Sequence, residues 1–144
     1  MNEGWHGDDY LILFAESEIG LAKDRYGISK QLAGFQLLGL RGWDDFIVQD
    51  SAGHTFSIPT VPIDPQYLEP FHIPAGKAAL QYDARFAGKI KWYLRPLVFG
   101  GDVNEKENCV WVSHEQHAQL VRFWNDKYRS QKPSGGSKWV PKII

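Results

Sequence analysis

Apolar positions in the first 60 residues fall into short runs separated by polar and glycine-containing segments. The runs at residues 10–14 and 46–48 are continuous, the run at 35–40 is interrupted only by Gln36 and Gly39, and runs of this length predict buried β-strands. Residues 54–58 alternate apolar and polar side chains, which is typical of a strand with one wet or thinly covered face. Residues 50–53 have the composition of a hairpin turn, so they predict that the third and fourth runs form a hairpin.

The segments beside the first apolar run carry weaker signals. Residues 1–9 contain two glycines and two aspartates and predict an irregular, acidic segment. Ser17 is the predicted cap of a helix that continues to about Tyr26 and carries an apolar stripe. Gly27 is the predicted terminator of this helix, because a residue without Cβ enters the left-handed conformation freely.

Prolines and glycines dominate the middle of the chain. The prolines at positions 59, 62 and 65 predict the end of the sheet, since proline cannot donate the hydrogen bond that a central strand supplies. Residues 65–86 predict a loop in which residues 75–80 could form a short helix. Residues 89–99 and 109–112 predict two further strands, the first at a sheet edge because of Pro96.

The strongest local signal lies near the C-terminus. Ser113 and Gln116 have the spacing of a capping box, which predicts a helix from this point to about Tyr128. One face of this helix is apolar and carries His117, Leu120, Val121, Trp124 and Tyr128. Residues 130–144 are polar and rich in glycine and serine at first, and they predict a flexible tail. We therefore expect one domain over residues 1–129.

Together these elements predict an α+β fold: a single domain with a mixed or mainly antiparallel sheet, flanking helices and a C-terminal amphipathic helix. The 144 residues suffice for one core, and the composition is 43% hydrophobic and 14% aromatic. The net charge of −1 argues against nucleic acid as a partner. The single Cys109 and the lack of a signal peptide or long apolar run lead us to expect a cytoplasmic protein that does not bind membranes.

No combination of residues predicts catalysis or a cofactor convincingly. His114 and His117, with Asp102, could hold a metal on the C-terminal helix, but the zincin motif needs histidines four apart with a glutamate directly after the first. Cys109 lies within an apolar strand, where a reactive thiolate is disfavoured. We therefore expect no catalytic residue, metal or cofactor. A metal-assisted enzyme that uses His114, His117 and Asp102 is the alternative.

Aromatic residues beside carboxylates favour a protein-binding role instead. Trp43 precedes Asp44 and Asp45 in a turn, and aromatic anchors flanked by charge are typical of protein-binding hot spots. The acidic pattern would attract a basic partner. The other reading of the turn is that Trp43 belongs to the core and Asp44 is a turn residue. The predicted partner-binding residues are Trp43, Asp44, Asp45, Asp8, Asp9, Trp92 and Tyr93.

The order of several motifs resembles the SUKH superfamily. The resemblance covers roughly residues 9–70 and rests on a strand entering a helix at residues 9–14, the segment at 32–39, the aromatic strand at 43–48, and the proline-containing segments at 56–59 and 61–64. The opening helices of that family are absent, and the turn carries Arg41-Gly42-Trp43-Asp44 in place of a glycine run.

This resemblance implies an α+β fold and a role as a bacterial immunity protein that binds a cognate toxin and occludes its active site. Other members of the superfamily are eukaryotic regulatory scaffolds. We therefore expect a non-catalytic binding module with a basic toxin as its partner, as a monomer or weak homodimer. A structural or assembly protein is a further alternative, for which stable self-association would be the sign.

Overall fold

The computed structural model describes residues 2–74, 80–102 and 104–131, and these form one small α+β domain. Its strands are β1 (Asn2–His6), β2 (Asp9–Leu13), β3 (Gln36–Arg41), β4 (Asp45–Gln49), β5 (Thr55–Pro59), β6 (Glu69–Pro70), β7 (Ile90–Tyr93) and β8 (Cys109–Val112). Its helices are α1 (Glu16–Tyr26) and α2 (His114–Gln131).

Strands β1 to β6 form one antiparallel sheet in chain order, and β7 and β8 form a separate antiparallel pair. The predicted α+β class and C-terminal helix are therefore confirmed. The hairpin of β4 and β5 closes as predicted, with the Asp50 carboxylate accepting hydrogen bonds from the backbone N–H groups of Ala52 and His54. Hairpins can be predicted from local composition because hydrogen bonds of this kind join residues close together in the sequence.

The prediction of an irregular N-terminal segment is wrong, because residues 2–6 form strand β1 and pair with β2. The outer edge of β1 is also bonded: the backbone N–H of Trp5 donates to the Gln81 carbonyl at 2.8 Å, and Gln81 returns the bond at 2.9 Å. At Gly4 a Cβ atom would collide with the Gln81 backbone. The glycine that suggested irregularity is thus required for close packing of backbone on backbone.

Helix α1 ends as predicted but begins differently. Gly27 adopts the left-handed conformation, with φ of 66°. The residue before the helix is Ala15, and the Glu18 carboxylate accepts a hydrogen bond from the Ala15 N–H at 2.8 Å. Ser17 therefore lies inside the first turn and is not the cap. A carboxylate near the helix N-terminus also interacts favourably with the helix dipole.

The core lies where the six-stranded sheet, the two helices and β7 meet. Its fully buried side chains include Tyr10, Ile12, Leu37, Leu40, Phe46, Val48, Ile58, Ile90, His117 and Val121. Ser57 is also buried, so the expectation that one face of β5 is thinly covered is wrong at this residue. Strand β6 pairs with Phe56 and Ser57 and makes β5 an interior strand.

The C-terminal half agrees with the predictions in part. Of the residues 89–99 predicted as a strand, only those of β7 form one, whereas β8 occupies the predicted residues 109–112. Ser113 and Gln116 form the capping box, with bonds of 3.0 and 3.1 Å. Helix α2 continues to Gln131, two residues beyond the predicted end of the domain. The rest of the predicted tail and residues 75–79 of the possible short helix lie outside the described residues.

Helix α2 is amphipathic, and both described helices are too short or too polar to cross a membrane. The outer face of α2 is mainly polar, whereas its inner face buries Ala118, Val121 and Tyr128 together with the polar side chains of His117 and Asn125. A helix with one buried and one solvated face is expected where it covers the side of a sheet.

Candidate functional site

A pocket of about 490 Å³ opens between the start of β4, the end of β5 and the end of β7. Its walls are mainly apolar, and two carboxylates lie among them. The lining residues are Asp44, Asp45, Pro59, Thr60, Val61, Pro62, Tyr67, Trp92, Tyr93, Pro96, Leu97 and Val98. The volume lies within the range of roughly 300–1,000 Å³ that is usual for ligand pockets.

One wall of the pocket is the segment at residues 59–67, which follows β5. The buried side chain of Asn125 on α2 fixes this segment: its amide nitrogen donates to the Thr60 carbonyl at 2.7 Å, and its oxygen accepts from the Ile63 N–H at 2.7 Å. The same amide nitrogen donates to the Val121 carbonyl at 2.8 Å. The Asn125 side chain thus attaches the pocket wall to the helix through its oxygen and its amide nitrogen, and the nitrogen makes its remaining bond within α2.

A second bond attaches the same wall to α2. The Tyr128 hydroxyl donates to the buried Asp64 carboxylate at 3.0 Å. Asp64 also accepts from the Gln66 N–H at 3.2 Å and caps the 3₁₀ turn Pro65–Tyr67. This turn carries the Tyr67 ring that borders the pocket. The helix therefore determines where the wall and its aromatic side chain lie.

The opposite wall is the segment at residues 94–98, which follows β7. Asn108 binds it at both polar ends of its amide: the oxygen accepts from the Arg95 N–H at 2.7 Å, and the nitrogen donates to the Arg95 carbonyl at 3.1 Å. The amide nitrogen also lies 3.3 Å from the carbonyl of Asp102, to which it donates. Gly101 packs against the Arg95 carbonyl so closely that a Cβ atom would collide with it.

Asp44 and Asp45 bring negative charge to the pocket at the β3–β4 turn. Asp44 is exposed at the mouth and Asp45 is half-buried. Within the described part of the chain, neither side chain has a hydrogen bond or an ion pair. The backbone of Asp44 is fixed, because its carbonyl accepts from the Thr60 N–H at 2.9 Å. The backbone that carries the two carboxylates is thus fixed, while the carboxylate oxygen atoms stay available.

Loss of hydration against the pocket wall changes the acidity of both groups. It raises the pKa of Asp44 to about 6, with Lys91 opposing the rise and Asp45 adding to it. It also raises the pKa of Asp45, where Arg41 opposes the rise and Glu69 and Asp9 add to it. At neutral pH Asp44 is mostly ionised. Both raised values indicate that carboxylate charge here is poorly compensated by its surroundings.

Trp92 and Tyr93 form the aromatic side of the pocket at the end of β7. Trp92 is buried, with 5% of its surface exposed, and its ring packs against His117 at 5.4 Å between centroids. Tyr93 is half-exposed, and the Lys91 ammonium lies 5.4 Å from its ring centroid. The structure therefore brings together four predicted partner-binding residues that come from two distant parts of the chain, Asp44, Asp45, Trp92 and Tyr93.

Trp43 lies elsewhere, in a cluster of aromatic rings that we call the aromatic cluster and that consists of Trp5, Tyr10, Trp43, Phe86 and Trp111. Its ring stacks on Tyr10 at 4.9 Å and meets the edge of Trp111 at 5.3 Å. The Trp43 backbone has φ of 64°, a conformation that costs a bulky residue free energy. Packing of the ring offsets that cost and fixes the turn that presents Asp44.

The acidic N-terminal pair is also outside the pocket lining. Asp8 is exposed in the turn between β1 and β2. Asp9 forms an ion pair with Arg41, whose Nε lies 3.2 Å from the carboxylate. The Arg41 guanidinium also lies over the Phe71 ring. Asp9 therefore affects the pocket through its charge, which helps to raise the pKa of Asp45. A direct contact of Asp8 or Asp9 with a partner stays a prediction.

His114, His117 and Asp102, the residues of the alternative enzyme, do not form a metal site in the part of the chain that the structure describes. His117 is fully buried and its Nδ1 lies 2.6 Å from the Tyr26 hydroxyl. Burial lowers the pKa of His117 to about 3, with His114 adding to the effect. Asp102 accepts a hydrogen bond from the Asn104 N–H. Over residues 2–74, 80–102 and 104–131, no group of three His, Cys, Asp or Glu side chains could hold a metal ion.

Asn125, Asn108 and Tyr67 contribute to the pocket and were missed by the sequence patterns. Asn125 had a signal, because it is a polar residue within the apolar face of α2, between Val121 and Tyr128. A polar side chain at such a position needs partners from another segment. Asn108 and Tyr67 lie in irregular segments without periodicity, where no local rule indicates which side chains turn inward.

No protein-family model matches the chain, and comparison with curated proteins and with solved structures finds no significant match. The resemblance to the SUKH superfamily therefore stays a prediction.

Proposed function

We propose that this chain is a non-catalytic binding module that holds a basic segment of a partner protein in the pocket. The observation that supports this function is the pair of carboxylates, Asp44 and Asp45, which lie in an apolar pocket and lack a bonded counter-charge among the described residues. Asp45 is half-buried, and a carboxylate that loses part of its hydration costs free energy unless it is paired, while Asp44 adds a second negative charge at the mouth. A cation from a partner supplies the missing pair.

The charges around the two carboxylates support attraction of a basic partner. Asp9 and Glu69 lie close enough to raise the pKa of Asp45, where Arg41 opposes the rise, and Lys91 opposes the rise in the pKa of Asp44. Four carboxylates thus face two cations, of which Arg41 is already bonded to Asp9. The excess of negative charge favours encounter with a positive surface and disfavours an acidic one.

The way the walls are fixed supports binding without a large change of shape. Asn125 attaches one wall to α2, and Asn108 attaches the other to the start of β8. A site whose walls are ordered before the partner arrives avoids part of the entropy cost of association. The exposed Leu97 and Tyr67 border the opening and add apolar area for contact.

The proposed biological role is that of an immunity-type inhibitor in a bacterial cytoplasm. It rests on the resemblance of residues 9–70 to the SUKH superfamily, whose members include proteins that bind toxins. Occlusion of a toxin's active site requires only a stable complex, and no group that transfers protons or electrons. The carboxylates would then contact basic residues on the toxin surface.

Co-purification from the native host tests this function. The wild-type chain and the variant Asp44→Asn/Asp45→Asn serve as baits, and the matched control Asp24→Asn/Glu115→Gln removes the same charge from exposed helix positions. We expect a basic protein that wild type and control retain and the pocket variant loses, and that reconstitutes a complex when purified. Equal retention by the pocket variant would overturn the proposal.

A further inference from the structure

We propose that the occupant of the pocket is an arginine side chain of the partner, flanked by an apolar residue. This inference rests on the proposed function and specifies the chemistry that the pocket recognises. It follows from the kind of groups that line the pocket and from their positions on two separate strands.

The two carboxylates suit a guanidinium better than an ammonium. Asp44 lies in the turn before β4 and Asp45 is the first residue of that strand, and both line the pocket. They therefore offer acceptors from two adjacent backbone positions. A guanidinium has five N–H donors in a fixed planar fork and can bond two carboxylates at once, whereas an ammonium is a compact and strongly hydrated point charge.

The aromatic and proline walls suit the rest of an arginine side chain. Tyr67 and Tyr93 present partly exposed rings, on which a planar cation stacks. The prolines at 59, 62 and 96 supply rigid apolar surface for the aliphatic part of the side chain, which gains free energy when it leaves water. Both halves of an amphipathic side chain thus find a matching surface within one pocket.

A cation of this chain already lies beside two residues of the pocket. The Lys91 ammonium lies 5.4 Å from the Tyr93 ring centroid and favours the ionised form of Asp44. Its position shows that the Tyr93 ring can face a cation. It also makes Lys91 a competitor, since its charge partly compensates Asp44 before a partner arrives. Removal of this charge by Lys91→Met should strengthen the binding of an incoming cation.

The size of the pocket indicates that more than one side chain enters. A volume of about 490 Å³ falls among pockets that bury small molecules. Leu97 at the rim is 46% exposed, and the nearby Leu94 is 54% exposed. An apolar residue next to the arginine would cover the exposed Leu97 side chain. The smallest probe that represents this occupant is a capped Arg-Leu dipeptide.

Titration of the full chain with capped dipeptides, followed by NMR, tests the inference. The probes are Arg-Leu, Lys-Leu and citrulline-Leu, in which citrulline is the uncharged analogue of arginine. We expect Arg-Leu to shift the backbone amides of Asp45 and Tyr93 in a saturable manner, with an affinity at least about tenfold above those of Lys-Leu and citrulline-Leu. We also expect Lys91→Met to bind Arg-Leu more tightly and Asp44→Asn/Asp45→Asn to lose it, while the control Asp24→Asn/Glu115→Gln binds as wild type does.

Each other outcome overturns a separate part of the inference. Equal binding of citrulline-Leu would show that charge plays no part, and equal binding of Lys-Leu would remove the preference for a guanidinium. Shifts confined to residues outside the pocket would place the site elsewhere. If Arg-Leu fails while the pocket variant still loses its protein partner, the arginine inference falls and the proposed function stands. If Arg-Leu binds but no partner depends on Asp44 and Asp45, the proposed function falls.

Discussion

Replacement of Asn125 by leucine is the sharpest test of how the pocket wall is held. The variant removes the bonds to the Thr60 carbonyl and the Ile63 N–H, both of which belong to buried residues. Each buried group left without a partner costs about 1–3 kcal/mol, so we expect a loss of about 2–6 kcal/mol in the free energy of unfolding. The third bond, to the Val121 carbonyl, lies within α2, and we assign it no part of this loss.

Urea unfolding at neutral pH, followed by tryptophan fluorescence and circular dichroism, measures this loss. The matched control is Gln119→Leu, which makes the same kind of change at an exposed position of α2. We expect the control to stay within about 0.5 kcal/mol of wild type, as surface substitutions usually do. A loss below about 1 kcal/mol for Asn125→Leu would refute the reasoning, because the wall would then not depend on these bonds.

Three further predictions concern the buried histidine, the pocket carboxylate and the second wall. Burial lowers the pKa of His117 to about 3, so the unfolded state alone takes up its proton as the pH falls below about 6.5. Stability should therefore be lost as the pH falls from about 6.5 towards 3. The expected loss at pH ~4.5 relative to neutral pH is about 2–3 kcal/mol. Urea unfolding of His117→Phe at pH ~4.5 and at neutral pH should lack this part of the loss. Because the pKa of Asp44 is raised to about 6, its charge at neutral pH opposes folding, and this cost disappears below about pH 4. Thermal melting of Asp44→Asn should give a Tm equal to or above that of wild type at pH ~7 and no difference in strong acid; a lower Tm at neutral pH would contradict the assigned cost. Gly101→Ala should shift the amide resonances of residues 94–98 and lower the Tm, whereas Gly20→Ala, in open space on α1, should stabilise by up to about 1 kcal/mol. Unchanged resonances in Gly101→Ala would show that the second wall tolerates the added Cβ.

Local rules account for the parts of the fold that could be predicted. The turn at residues 50–53 and the capping box of Ser113 and Gln116 are closed by bonds between residues at most four apart, so their composition alone indicates them. Strand β1 could not be predicted in this way. It depends on pairing with β2 and on the hydrogen bonds between Trp5 and Gln81. Gly4 is needed only because the distant Gln81 backbone packs against it.

The candidate site shows the same division. Trp92 and Asp44 each stood out as possible contact residues, yet nothing in their local sequence indicates that they line one pocket. Their meeting depends on how β7 and the segment after β5 pack, which Asn108 and Asn125 help to fix. Trp43 satisfies the same local pattern as the other aromatic residues, but its ring packs in the aromatic cluster. Where a large aromatic ring points is decided by tertiary packing.

The affinity of the purified partner for the chain, measured by isothermal titration calorimetry, tests the central claim most directly. Asp44→Asn/Asp45→Asn should weaken the complex by more than about 2 kcal/mol, since loss of a desolvated charge partner typically costs about 2–5 kcal/mol. The control Asp24→Asn/Glu115→Gln should bind as wild type does. Equal affinity of the pocket variant and wild type would contradict the claim that these carboxylates hold the partner.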